Sequence, residues 1–153
     1  MTFPFADIKD GETVYLAIHA KYADRVDAIL AALPVALVHL QEYRVMLIVF
    51  SDRLERFALF DEATKFEIAK RNWHDGGLLD PVIGVFLADH ACFPRNRQPS
   101  VFIFSDGDIA CNWNPGILSQ LLNAVWLHEA SQEPMLTPFG ERQTIVLQAA
   151  GVP

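Results

Sequence analysis

Two carboxylates, Asp106 and Asp108, follow directly after the apolar run Val101–Phe104. Carboxylate oxygens at this spacing can share a divalent cation such as Mg²⁺, and one of them can act as a nucleophile. The pattern therefore admits a small metal-dependent hydrolase or phosphotransfer enzyme. The dipeptide Asp106-Gly107 equally marks a hairpin turn between two apolar segments, with Gly107 at positive φ. We favour the hairpin, in which both carboxylates only solvate the turn.

The Asp-x-Asp pattern resembles the first motif of the haloacid-dehalogenase-type phosphotransferases. The resemblance implies that one carboxylate attacks the transferred group and that both lie near Mg²⁺. It covers only this strand and turn, and Ala110 stands where that family has Thr or Val. The family also needs further motifs, and only a short stretch follows Asp108.

His90, Cys92 and Cys111 are candidate metal ligands. Side chains two residues apart on a strand face one side, so a strand would direct His90 and Cys92 to one site, which a hairpin neighbour could complete with Cys111. Structural zinc sites usually contain Cys-x-x-Cys pairs, and this sequence has none. Free cysteines also pack as small hydrophobic residues. We therefore predict no metal and no other cofactor, with these three residues as the alternative.

Trp73 and His74 precede Asp75-Gly76-Gly77. An aromatic ring, a titratable ring and flexible glycines are typical of a ligand-binding loop. They are also typical of a helix C-terminus, where His is favourable and Gly forms the cap, and we favour this cap.

Arg95 and Arg97 lie between two prolines in the clearest loop of the chain. This basic loop suits a carboxylate or a phosphate, or it is a solvated loop tip. Together with Trp113, which lies among the aromatic residues that suit a partner surface, these side chains complete the predicted binding set: Trp73, His74, Arg95, Arg97 and Trp113.

Composition narrows the classes of partner. The chain has 153 residues, with 12 basic and 19 acidic groups, so its formal net charge is −7. This balance disfavours nucleic acid and favours a protein with a basic surface. No apolar run reaches the roughly 20 residues that span a bilayer, and no signal-peptide pattern is present. Two cysteines form no disulfide framework, so we expect a cytoplasmic protein.

The mixture of strand and helix patterns predicts a single α+β domain, with a largely antiparallel or mixed sheet and two hairpins packed against two to four helices. One hairpin crosses Asp106-Gly107, and the other joins Val35–Leu40 to Arg44–Phe50. Further strands are expected at Thr13–Ala20, Pro81–Ala88 and Gln143–Ala149, with helices at Tyr22–Leu33 and from Asn114 onward.

Residues 52–73 admit two interpretations. In one, Arg56–Phe60 is a short strand and Asp61 caps a separate helix. In the other, Asp52 and Glu55 form a capping box at the start of one long helix. Short apolar runs do not distinguish the two.

These observations together predict a non-enzymatic protein-binding domain with an acidic, aromatic-rich surface, bacterial in style and of the immunity, antitoxin or secretion-chaperone kind. The order of elements resembles that of class I type III secretion chaperones, which implies an isologous homodimer. A metal-dependent hydrolase or phosphotransfer enzyme using Asp106 and Asp108 is the alternative. An acidic mimic of DNA is a third hypothesis.

Overall fold

A computed structural model describes residues 13–31, 44–70, 72–92, 100–105, 109–130 and 139–147. Its strands are Thr13–His19 (β1), Arg44–Phe50 (β2), Leu54–Leu59 (β3), Ser100–Phe104 (β4), Asn123–Glu129 (β5) and Glu141–Ile145 (β6). Its α-helices are Val26–Ala31 (α1), Glu62–Lys70 (α2), Asp80–Cys92 (α3) and Pro115–Leu121 (α4). A 3-10 helix, Ala20–Arg25, joins β1 to α1.

The strands form one sheet in the order β3-β2-β1-β4-β5-β6. Every neighbouring pair is parallel except β2 and β3, which are antiparallel. The sheet is therefore mixed, which confirms the predicted single-domain α+β fold with two to four helices. Of the two sheet types expected from the sequence, the largely antiparallel one does not occur among the described strands.

The hairpin predicted across Asp106-Gly107 is wrong. The neighbours of β4 are β1 and β5, and it runs parallel to both. The segment from Ile109 onward does not pair with β4 in the described residues, and Ala110 forms an isolated bridge with Leu78. An Asp-Gly dipeptide signals only a local turn, whereas burial of β4 between two parallel strands decides its pairing. Residues 106–108 themselves lie outside the described residues.

The hairpin predicted between Val35–Leu40 and Arg44–Phe50 is also wrong. Residues 35–40 lie outside the described residues, and both edges of β2 are occupied by β1 and β3. The observed hairpin instead joins β2 to β3 through Ser51–Arg53, where the Ser51 N–H donates to the Arg53 carbonyl at 2.9 Å. The short polar segment Ser51–Arg53 thus forms the hairpin turn after β2, whereas we had predicted the turn before β2.

Alternation along β1 divides the core into two layers. Val14, Leu16 and Ile18 belong to the layer that includes residues of α1 and α2. Tyr15 and Ala17 belong to the layer that includes residues of α3 and α4. All five are completely buried, as expected for a parallel strand covered on both faces.

The strand predicted over Pro81–Ala88 is part of α3. Val82, Ile83 and Phe86 are buried at helical spacing, and Pro81 lies in the first turn, where its missing N–H costs nothing. A short apolar run fits a buried strand and a buried helix equally well, which explains the error.

Two side-chain caps define helix starts. Asp61 Oδ1 accepts the Thr64 N–H at 2.8 Å, so residues 52–73 form a strand followed by a separately capped helix. Asn114 Oδ1 accepts the Gly116 and Ile117 N–H groups at 2.8 and 3.3 Å. This confirms the predicted helix start at Asn114. No helix in the described ranges has the length and apolarity to cross a membrane.

Candidate functional site

The strand order reverses between β1 and β4, so the carboxyl ends of these two strands form a topological switch point. From β1 the chain forms β2 on one side, and it later crosses back to form β4 on the other side. The segments that leave these two strands diverge, and open sheets of this kind bind ligands in the crevice that results.

A cleft of about 740 Å³ occupies this position. It joins three parts of the chain: the end of β1, the loop before α3 and the segment after β4. Its lining residues are His19, Lys21, Trp73, His74, Asp75, Gly76, Gly77, Ile109 and Ala110. We call it the carboxyl-edge cleft. Its volume lies within the range of about 300–1,000 Å³ that is usual for ligand sites.

His19 forms a fixed part of the cleft wall. Its Nε2 lies 2.8 Å from the Gly76 carbonyl oxygen, and this nitrogen donates the hydrogen bond because a carbonyl only accepts. The ring stacks on Phe50, with centroids 5.5 Å apart and planes at 14°. Its Nδ1 is buried and has no hydrogen-bond partner within the described ranges. The ring therefore holds the loop and does not present a base to the cleft.

Gly76 lets the loop approach the turn between β2 and β3 closely. Its φ of 115° lies in the left-handed region that favours glycine. A Cβ at this position would lie 2.9 Å from the Cβ of Asp52. Any larger residue would therefore push the loop away from the sheet and open the wall.

Backbone hydrogen bonds fix the loop on both sides. Leu78 N–H donates to the Ser51 carbonyl at 2.8 Å, next to the end of β2. Leu79 N–H donates to the Ala110 carbonyl at 2.8 Å, and Ala110 N–H donates to the Gly77 carbonyl at 2.9 Å. The loop is thus held between the end of β2 and the segment that follows β4.

Asp52 and His74, a lining residue of the cleft, are joined by a side-chain contact. The Asp52 Oδ1 and His74 Nδ1 atoms are 2.7 Å apart, and both side chains are half exposed. Solvent screens such a pair, so it orients the His74 ring more than it stabilises the fold.

Glu55 is the buried centre of the same network. Its Oε1 accepts hydrogen bonds from Ser51 Oγ at 2.8 Å, from the His74 N–H at 3.2 Å and from Arg53 Nε at 3.3 Å. Burial acts to raise the pKa of Glu55, but the hydrogen bonds from Ser51, Arg53 and His74 outweigh it and hold this pKa below its ordinary value. The ionised carboxylate therefore ties β3 to the loop.

The predicted binding residues have different positions. Trp73 and His74 lie together in the cleft lining, in a loop that begins beyond the end of α2 and so does not cap it. Trp113 lies just before α4 with 37% of its surface exposed, and it is not among the lining residues. Arg95, Arg97, Asp106 and Asp108 lie outside the described residues.

The three candidate metal ligands do not form one site. His90 and Cys92 lie on α3 and not on a strand, so they are about 200° apart around the helix axis. Cys111 lies at the opposite end of this helix, because the next residue donates its N–H to Asp80 at 3.0 Å. Burial raises the pKa of the Cys111 thiol, whereas metal ligation needs a thiolate. Across the described residues, no group of three such ligands converges.

Two lining residues, His19 and Lys21, were not predicted from the sequence, and neither were Asp52 and Glu55, which contact the lining residue His74. His19 ends a clear strand, and polar residues at that position are a useful signal in parallel sheets. Asp52 and Glu55 were interpreted only as a capping box, because their contact with His74 requires a return of the chain over 19 residues or more.

A scan against protein-family models and a search of curated proteins found no match. Among solved structures, this chain is similar to an aerotolerance-related membrane protein from Bacteroides fragilis NCTC 9343 that carries multiple mutations to serines. The TM-score is 0.55 with 11% sequence identity, over 83% of this chain and 73% of that chain. At this identity the similarity shows the fold alone.

Proposed function

We propose that this chain is a non-enzymatic protein-binding domain that receives a segment of a partner protein in the carboxyl-edge cleft. One observation carries the proposal: the cleft is preformed, and its two histidines hold its walls. His19 binds the Gly76 carbonyl, and His74 pairs with Asp52. A preformed wall loses little conformational freedom on binding.

The proposed partner has a basic surface. The formal net charge of −7 attracts such a protein over long range, and Asp75 adds an exposed carboxylate to the cleft lining. Lys21 also lines the cleft, but its Nζ lies over the Tyr22 ring, 5.6 Å from the centroid. Trp73 is half-buried in the lining and offers an aromatic contact of the kind common in interfaces.

Within this proposal, the immunity, antitoxin or secretion-chaperone class and the cytoplasm remain our first choices. They rest on the acidic composition and on the two cysteines without a disulfide framework. The resemblance to class I secretion chaperones contributes no support, because it was based on a predicted order of elements with a strand at Pro81–Ala88, where the structure has α3.

The test is affinity capture with two baits of equal net charge. Asp75→Arg reverses a charge in the cleft, and Glu141→Arg reverses an exposed charge on β6, whose residues do not line the cleft. We expect Asp75→Arg to reduce recovery of a basic partner roughly tenfold or more, since opposing like charges at an interface costs several kcal/mol. Glu141→Arg reduces it only slightly. Equal loss with both baits, or no loss with Asp75→Arg, contradicts the proposal.

The alternative is a metal-dependent hydrolase or phosphotransfer enzyme. The observation in its favour is that Asp106 and Asp108 lie in the sequence between Ser105, which follows β4, and Ile109, which lines the cleft. Hydrolysis of p-nitrophenyl phosphate with Mg²⁺ tests it. Activity that disappears in both Asp106→Asn and Asp108→Asn would replace the binding proposal with this alternative.

A further inference from the structure

Helix α4 and the residue before its cap expose a group of large apolar side chains. Trp113 is 37% exposed, Ile117 is 52% exposed and Leu121 is 41% exposed. Ile117 and Leu121 are four residues apart and therefore lie on the same helix face. Leu118 and Leu122 are buried against the sheet. We call Trp113, Ile117 and Leu121 the α4 patch.

The α4 patch lies in an uncharged stretch of a strongly acidic chain. No Asp, Glu, Lys or Arg occurs between Asp108 and Glu129. Of the four described helices, α4 alone has no charged residue. By contrast Phe66, which is 63% exposed on α2, lies between Lys65 and Glu67. Large apolar side chains without charged neighbours are typical of interface cores.

We propose that the α4 patch is the contact between two copies of this chain. Two acidic molecules repel each other over most of their surfaces, and they can meet at an uncharged patch without placing carboxylates opposite one another. Asp80 contacts this stretch, since its Oδ1 accepts the Asn112 N–H at 3.0 Å, but the stretch itself offers a basic partner no charge. The charge pattern therefore favours self-association and leaves the carboxyl-edge cleft open for another protein.

A two-fold axis gives this contact a defined geometry. In an isologous dimer the two subunits contact each other through the same surface patch. With the two α4 helices antiparallel, Ile117 lies at the axis against the partner subunit's Ile117. Leu121 then packs toward the start of the other helix, where Trp113 lies. Three side chains supply only part of the roughly 800 Å² per subunit of a standard interface, so we expect a weak dimer with a Kd on the order of 10 μM or more.

Sedimentation equilibrium over a range of concentrations tests the proposal. We expect the unmodified chain to move from the monomer mass to twice that mass as its concentration rises. Ile117→Glu places two carboxylates together at the axis and weakens the dimer at least about tenfold. Phe66→Glu adds the same charge on α2 and leaves the dimer nearly unchanged.

Disulfide trapping gives a second, independent readout. In a Cys92→Ser and Cys111→Ser background, Ile117→Cys is expected to form a disulfide-linked dimer on oxidation, because a residue at the axis meets its own copy. Phe66→Cys is not expected to do so. A chain that stays monomeric, a dimer that persists in Ile117→Glu, or equal loss in Ile117→Glu and Phe66→Glu would overturn the proposal.

Discussion

The carboxyl-edge cleft and the α4 patch are close along the chain but differ in what holds them. The cleft depends on polar contacts between distant residues, such as His19 with Gly76. The α4 patch consists of apolar side chains that project from one short helix and bury little within the chain. The difference teaches that substitutions of the residues that hold the cleft wall change its fold, whereas substitutions in the patch change only what contacts it from outside.

The largest expected effect is the loss of Gly76. Gly76→Val introduces a Cβ that would lie 2.9 Å from the Asp52 Cβ, at a φ of 115° that a branched residue rarely adopts. We therefore expect a loss of about 3 kcal/mol in the free energy of unfolding. Urea denaturation measures it. The matched control is Gly84→Ala, at an exposed helix position with open space around it, which should raise stability by up to about 1 kcal/mol. Equal effects at both positions would show that the loop does not need its close approach to the turn between β2 and β3.

The next effect is a pH-dependent one at Glu55. The folded-state pKa of Glu55 lies below its ordinary value of 4.5. The stability that the ionised Glu55 carboxylate contributes is therefore present above pH 4.5 and is lost as the pH falls through the lowered pKa. Glu55→Gln should therefore cost about 2 kcal/mol at pH 7 and progressively less below pH 4.5. Unfolding curves at several pH values check this. Glu67→Gln, which removes an exposed pair with Arg56, should cost at most about 1 kcal/mol. A pH-independent loss at Glu55 would contradict the assignment.

A smaller effect is expected at the start of α4. Asn114→Ala removes the acceptor for the Gly116 and Ile117 N–H groups, which should cost about 1 kcal/mol of stability. It should also weaken self-association, because the helix that presents Ile117 frays. Thermal unfolding and sedimentation measure the two effects. Asn114→Asp retains a capping oxygen and should restore stability. If the Asp variant is as unstable as the Ala variant, the cap is not the cause.

The smallest effect is expected within the α4 patch itself. Leu121→Gln should change the unfolding free energy of the monomer by less than about 0.5 kcal/mol, because the side chain is already 41% exposed. The same variant should weaken the dimer measurably. Urea denaturation at low protein concentration isolates the first effect from the second. A large loss of monomer stability would show that the patch belongs to the core and not to an interface.

Local features of the fold could be predicted from the sequence. The β-rich composition of residues 13–20 and 44–50 identified β1 and β2, and Asn114-Pro115 identified the start of α4. Strand pairing could not be predicted, because a local Asp-Gly signal says nothing about which distant strand is neighbour to β4. The helix over Pro81–Ala88 was missed because a short apolar run carries no decisive periodicity.

Only the part of the candidate site that lies in one short stretch of sequence was among the predicted candidates. Trp73 and His74 share one loop, and their types suggested a ligand loop as the alternative to the helix cap that we favoured; both line the cleft. His19 and Asp52 became visible only when the sheet order placed the ends of β1 and β2 beside that loop. A site assembled from several strand ends is a property of topology, which a single sequence does not display.

The most direct measurement is photo-crosslinking in cells from three positions, each replaced in turn by a photoreactive residue. Ala110 lines the cleft, Ile117 lies in the α4 patch, and Phe66 is exposed on α2 and belongs to neither. We predict a crosslink from Ala110 to a different, basic protein, from Ile117 to a second copy of this chain, and from Phe66 to neither. If Ala110 gives no partner, or gives the same products as Phe66, the cleft is not the contact site and the proposed function is wrong.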